Sequence, residues 1–282
     1  MFLSVTCRCR QCLAKVNSFD FNEHICNFMT SLLPFISKTY QAPVWRMEID
    51  EISQTLFLEI RDHVNKQVSF SALSLQHGGV YFEGFTTPER WLTGIEAAYD
   101  GVLLLHNYQS ATGPIHKGIT AIEAVSGKEL WSNFTLAFDH LSANGPVVYN
   151  AQLQPRKLLL IDVKTGATLR GYEPVIDQPQ DNKIVSPQLL PAAEVNNLYL
   201  PLSVHANAVH YIGYNSFRIV SLHTLLQEHL EQHLFVYNEE GTLLYHDLLH
   251  NAIQKMQPEA FVLHNNQLIY LKNRSGLIVL KL

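Results

Sequence analysis

Three features of the sequence predict an all-β chain folded as a β-propeller of five to seven four-stranded blades, about six. Strand–turn–strand segments recur along most of its length. A glycine occupies the equivalent turn of each clear copy. The copies return with a period of about 40 residues, the length of one small antiparallel sheet in a ring of sheets. A lone four-stranded sheet leaves both faces wet, and stacking such sheets in a circle covers them. A non-repeating β-sandwich is the alternative.

The clearest copy is Gly118–Trp131, GITAIEAVSGKELW. Ile119 and Ala121 alternate with Thr120 and Ile122, the period of a strand. Ser126-Gly127-Lys128 supplies a tight turn in which Gly127 can take positive φ. Leu130 and Trp131 begin the return strand. Gly78, Gly166 and Gly241 sit at matching points of SALSLQHGGVYFEG, KLLLIDVKTGATLRGY and HLFVYNEEGTLLYHDL. The interval from Gly166 to Gly241 is close to twice the repeat length. A weaker unit is therefore expected at 197–214, where Leu198, Leu200 and Leu202 alternate with Tyr199, Pro201 and Ser203. FVLHNNQLIYLKNRSGLIVLKL closes the chain. Upstream, WRMEIDEISQTLFLEI (45–60) aligns without gaps on WLTGIEAAYDGVLLLH (91–106), pairing Trp45 with Trp91 and Asp50 with Glu96.

The remaining elements follow in order. Residues 1–40 show no sustained period and read as a poorly ordered extension, with a short helix near His24–Leu33; the propeller domain is 41–282. Deleting residues 1–28 is expected to leave the thermal transition unchanged. Asp177–Pro191 holds Pro179, Pro187 and Pro191 and reads as a long loop. Ser221–Leu234 spaces its leucines for a helix face, or else is a strand ending near His223 followed by a loop. His250–Met256 reads as a helical turn. Trp45 and Trp131 are expected in the core, Trp131 between blades.

Bulk properties bound the function. The chain has 282 residues, a formal charge of −5 and 47% hydrophobic residues. It has no basic stripe of the kind that neutralises phosphates, so nucleic acid is not an expected partner. It has no apolar run of about 18 residues and no signal-like start, so a cytoplasmic protein off the membrane, and a monomer, are expected. Its four cysteines are Cys7, Cys9, Cys12 and Cys26. With His24 they give only one metal-binding knuckle, where structural zinc sites usually have two.

AIEAVSGKELW and LIDVKTGATLRG resemble the repeat of quinoprotein-like (PQQ/WD40-type) propellers: a strand, Thr/Ser-Gly-Lys, then Leu-Trp or an equivalent. The copy at Ser126-Gly127-Lys128…Leu130-Trp131 is good, and that at Thr165-Gly166-Ala167…Leu169 is fair. The whole chain is similar to a group of bacterial propellers to which no activity is assigned. The resemblance implies the fold class. It does not carry over quinone chemistry, because the adjacent cysteine pair of those dehydrogenases is impossible in a chain without cysteine after Cys26.

For a site, the second unit has the densest polar cluster: Glu96, Tyr99, Asp100, His106, Tyr108 and His116, with Gly113–Gly118 as a connecting loop. Glu96, Tyr99, His106 and His116 are the candidate ligand-binding residues. Glu96 with either histidine could act as an acid/base pair or hold a cation; alternatively, Asp50 and Glu96 both cap a blade turn. His229/His233 and His246/His250 have helical i, i+4 spacing, but surface or boundary histidines explain them. No cofactor, metal site or catalytic residue is assigned. The sequence favours a non-enzymatic binding or scaffold module for a protein or small molecule. The alternative is a propeller hydrolase or lactonase with a cation or acid/His site in the central channel.

Overall fold

The computed structural model describes residues 32–282 except 111, 112, 196 and 259. The first described strand is β1 (Pro34–Thr39). Blade 1 follows as β2 (Val44–Asp50), β3 (Thr55–Asp62), β4 (Gln67–Ser74) and β5 (Val80–Phe85). Blade 2 is β6 (Thr93–Tyr99), β7 (Val102–Ser110), β8 (Gly113–Glu123) and β9 (Glu129–Asn133), and blade 3 is β10 (Leu136–Ser142), β11 (Gly145–Asn150), β12 (Leu158–Ile161) and β13 (Thr168–Gly171). A long connection then carries β14 (Ile184–Val185) and β15 (Gln188–Pro191) and two 3-10 turns, Ala192–Val195 and His205–Asn207. Blade 4 is built on β16 (Ala208–Tyr214), β17 (Phe217–Leu226), β18 (His229–Tyr237) and β19 (Leu243–Ile253), and blade 5 on β20 (Val262–His264), β21 (Gln267–Lys272) and β22 (Gly276–Lys281).

Every blade is an antiparallel meander, and blades 4 and 5 each gain strands from elsewhere. β15 joins the edge of blade 4, β14 joins blade 5 beside β20, and β1 joins blade 5 beside β22. The pairing of β1 with β22 closes the ring between the two ends of the described chain. The described residues thus form an all-β propeller of five blades.

Apolar side chains fill the wedges between blades. Leu56, Leu58 and Leu73 of blade 1 meet Ile269, Leu277 and Val279 of blade 5. Phe57, Phe70 and Ala72 meet Ile95, Leu103 and Leu105 of blade 2. Leu104 and Ile119 meet Val148 and Ile161 of blade 3, and Leu234 and Val236 of blade 4 meet Leu268 and Tyr270 of blade 5. Strand alternation explains this: Leu103 and Leu105 face one neighbour and Val102 and Leu104 the other. The fifth apolar cluster differs. Val209, Val220, Leu222 and Phe235 on the free face of blade 4 pack against Val195, Leu198, Leu200 and Leu202 of the connection.

The turn glycines have a packing reason. Gly78, Gly127, Gly166 and Gly241 all have φ between 66° and 80° and all lie in the turn between the third and fourth meander strands. A Cβ on Gly78 would meet the Phe35 ring at 3.1 Å, on Gly127 the Phe82 ring at 3.2 Å, and on Gly166 the Trp131 indole at 2.7 Å. In each case an aromatic on the outer strand of one blade lies against the turn of the next. Gly241 has no such ring; its near neighbours are Asn197 and Leu198 of the connection.

Several expectations need correction. Pro34–Thr39, counted in the extension, is the closing strand of blade 5; the rest of the extension, with its four cysteines and most of its proposed helix, lies outside the described residues. The unit expected at 197–214 is only half a unit. β16 is a strand, but Leu198, Leu200 and Leu202 pack as irregular chain on blade 4. The doubled glycine interval is therefore an insertion and not a sixth blade. Ser221–Leu234 is no helix but a hairpin, β17 with β18, turning at Gln227 with φ 55°. Both strands have buried positions on both faces, so the leucines lack strand alternation. His250 continues β19 and is not in a helical turn. Trp131 does pack between blades 2 and 3, its indole N–H donating to Val163 O at 2.8 Å. Trp45 is 63% exposed, at the register break between Val44 and Arg46 in β2. The gapless alignment of 45–60 with 91–106 is also displaced. Asp50 pairs with Thr55 at the end of β2 as Tyr99 pairs with Val102 at the end of β6, so Asp50 matches Tyr99 and not Glu96.

Candidate functional site on blade 2

Glu96, His106 and His116 come from three adjacent strands of blade 2, and two irregularities bring them together. β6 is bulged between Ile95 and Ala97, which places Glu96 at the extra position. β7 and β8 slip between Leu105 and Asn107, with Gly118 at φ 70° on the opposite strand. Bulges twist a strand and re-aim a side chain. Here they point an acid and two imidazoles at one another. His116 therefore stands on β8, which begins at Gly113, and not on a connecting loop.

The geometry is tight. His116 Nδ1 donates to Glu96 Oε2 at 2.9 Å. His106 Nδ1 lies 3.1 Å from the same oxygen, but neither nitrogen of the His106 ring makes a hydrogen bond. The two imidazoles stack with centroids 3.5 Å apart and planes within 7°. Tyr108 meets both rings edge-on, at 4.8 and 5.1 Å. The His106 side chain is 3% exposed, that of Glu96 12% and that of His116 36%. Burial by itself would raise the Glu96 carboxyl, but the two imidazoles beside it hold it below its usual range. A buried polar atom without a partner costs about 1–3 kcal/mol, so the orphaned His106 ring is a standing debt of the fold.

Blade 1 braces this cluster. Arg46 donates to Ile95 O at 2.8 Å and to Glu96 O at 3.1 Å, tying β2 to the bulge. The buried Glu59–Arg61 pair, 2.6 Å apart, works one residue further on: Glu59 accepts from Ile95 N and Arg61 donates to Thr93 O, both at 2.8 Å. Gly94 pairs with His106 across the strands, and a Cβ there would lie 3.1 Å from both the His106 ring and Glu59 Oε2. A side chain at that place would press on the imidazole and the carboxylate by a few tenths of an ångström. A cleft of about 460 Å³ lined by Pro88, Glu89, Leu92, Tyr108, Lys117 and Phe134 shares Tyr108 with the cluster.

Tyr99 does not join. It sits at the far end of β6, and its hydroxyl donates to Ala143 O of blade 3 at 2.9 Å. Asp50 does cap turns: it accepts from Ile52 N of its own turn and from Asp100 N and Gly101 N of the next blade. Glu96 has no such capping bonds. Sequence reading missed Gly94, Arg46 and the Glu59–Arg61 pair. Their only signal was charge inside otherwise apolar strands, at Glu59 and Arg61 of TLFLEIRD.

The histidines of blade 4 make a different arrangement. His233 is spent on two partners, His246 Nε2 at 3.0 Å through Nδ1 and Glu231 at 3.1 Å through Nε2, so its nitrogens point apart. Burial lowers His233, and pushes His223 and His246 down to about 4.

The profile of a domain of unknown function (DUF4905) matches residues 49–131, a stretch that includes Glu96, His106 and His116. No curated protein matches the chain. Among solved structures, a europium-containing methanol dehydrogenase is 10% identical over 86% of this chain and 52% of its own, with a TM-score of 0.28. The β-propeller domain of the Trilobed protease from Pyrococcus furiosus, described as having an open velcro topology, is 10% identical over 84% and 65%, with a TM-score of 0.31. Raptor of Chaetomium thermophilum is 9% identical over 89% and 29%, with a TM-score of 0.30. The chain thus spans about half the dehydrogenase and under a third of Raptor. The fold assignment rests on the sheet order and the β1–β22 closure.

Proposed function

We propose that this propeller is a non-enzymatic binding module and that its ligand engages Glu96, His106 and His116. One observation carries the reading. A buried imidazole with neither nitrogen hydrogen-bonded stands beside a carboxylate and a partly exposed second imidazole. Polar groups buried without partners are rare, and such an exception calls for an explanation, which an absent ligand supplies. The neighbouring cleft offers room for the body of a small molecule, with Tyr108 as the shared wall.

The test is a thermal-shift screen of the full chain against small organic acids, amines, phenols and divalent cations. At least one compound should stabilise the protein, lose that effect in Glu96→Gln and His116→Ala, and keep it in Glu123→Gln. No compound with that dependence means the site is wrongly placed. The same panel, extended to esters and lactones, checks the rival hydrolase reading, which the acid/His contact favours. Turnover that vanishes in Glu96→Gln would replace binding by catalysis.

A further inference from the structure

We propose that Glu96, His106 and His116 form a site for one first-row divalent transition metal ion, zinc being the best match. This deepens the binding reading above and rests on it for the location. The three ligand atoms lie within 4.8 Å of one another and come from one carboxylate and two imidazoles. That donor set suits zinc and its neighbours; calcium and magnesium prefer cages of oxygen. Ligands held about 2.0–2.1 Å from a tetrahedral ion are roughly 3.3 Å apart. Here Glu96 Oε2 is 2.9 and 3.1 Å from the two Nδ1 atoms; the rings are stacked 3.5 Å apart and within 7° of parallel, so an imidazole must rotate out of the stack for both lone pairs to converge on an ion.

A second observation is independent of that spacing. The His106 ring is 97% buried and unpartnered, and its Nδ1 faces the Glu96 oxygen that His116 already occupies as donor. The Glu96 oxygen hydrogen-bonds one of the two stacked rings and leaves the other without a bond. A cation beside Glu96 takes both lone pairs once the imidazoles give up those protons and turn out of their stack, and so satisfies the orphan. Open coordination positions would face the His116 side, where the cluster reaches solvent. Three protein ligands with an open position is how accessible zinc sites are built. The histidines of blade 4 do not offer this, since His233 directs its two nitrogens to different partners.

Equilibrium dialysis of the full chain against zinc chloride tests the idea, with Cys7, Cys9, Cys12 and Cys26 changed to Ser so that thiols do not compete. The expected result is one zinc per chain, with affinity falling about 100-fold or more in His116→Ala and in Glu96→Gln, since loss of an outer partner alone costs 10–100-fold. Glu123→Gln should bind as the parent does. Cobalt should give a tetrahedral visible spectrum that His116→Ala abolishes. If the four-serine chain does not fold, the native chain should lose one zinc equivalent in His116→Ala. Zinc uptake unchanged in His116→Ala, or no uptake at all, overturns the metal assignment. If a metal-free compound from the screen still depends on Glu96, the binding site stands and only its ligand class changes.

Discussion

Gly166 shows how one missing side chain holds two blades together. Its φ of 72° is a region that L side chains avoid, and the Trp131 indole fills the space a Cβ would take. Gly101 has a similar φ of 78° with nothing nearby. The pair separates backbone strain from packing. Gly101→Ala should cost about 1–2 kcal/mol, the left-handed penalty alone. Gly166→Ala should cost that plus about 1–3 kcal/mol for displacing the indole. Urea midpoints of the two variants check this; equal losses would mean that the indole moves freely. The glycines were legible in the sequence because positive φ leaves a residue-level mark. The aromatic that each one receives was not, since Phe35, Phe82 and Trp131 lie 43, 45 and 35 residues upstream in different local contexts. The same limit hid the brace of Glu96: Arg46 and Glu59 are 50 and 36 residues from the groups they hold.

At the level of elements, blade 4 is set apart by its histidines. His223 is fully buried, accepts from Gln257 N at 3.0 Å, and is held neutral by burial, with His210, His205, His250 and His233 adding repulsion to any charge it would take. Its ordinary value of 6.5 falls to about 4 in the fold. The unfolded chain therefore binds a proton below pH 6.5 that the folded chain refuses until about pH 4. Stability is full above 6.5 and drains away as pH falls between those values, by up to about 3 kcal/mol for this one group. His223→Gln keeps an acceptor and removes the titration, so its urea midpoint should fall less between pH 7 and pH 4 than that of the parent. Parallel losses would show that His223 does not control the acid transition. The leucine spacing of Ser221–Leu234 suggested a helix here, but a hairpin buried on both faces reads the same way as an amphipathic helix. The bulge at Glu96 and the slip at His106 were illegible for a related reason: strand alternation says which face a residue takes only until an extra residue intervenes. Glu96, His106 and His116 stand together because they lie on neighbouring strands. Tyr99 fell out because it is at the wrong end of β6.

On the scale of the whole molecule, four blade junctions are direct apolar contacts, and the fifth apolar cluster joins blade 4 to the connection. The connection is tied down along its course. Gln180 N donates to Leu141 O of blade 3, Lys183 N donates to Glu51 of blade 1, and Ile184 pairs with His264 of blade 5. No helix among the described residues is long and apolar enough to cross a membrane. The period of the repeats revealed the ring, but a period cannot distinguish a degenerate blade from an insertion of the same length, and so the count of about six falls to five. The closure by β1 has a consequence for a broken chain. A protease that cuts between Gly171 and Ile184 produces two pieces, yet the amino-terminal piece still contributes an outer strand to the sheet of the carboxyl-terminal one. The fragments should co-elute on gel filtration and part only in denaturant. Separation under native conditions would mean that the borrowed strand and the apolar core between blades 1 and 5 are together too weak to hold the halves. In that sense the covalent path and the mechanical path around the circle are different routes, and severing one leaves the other intact.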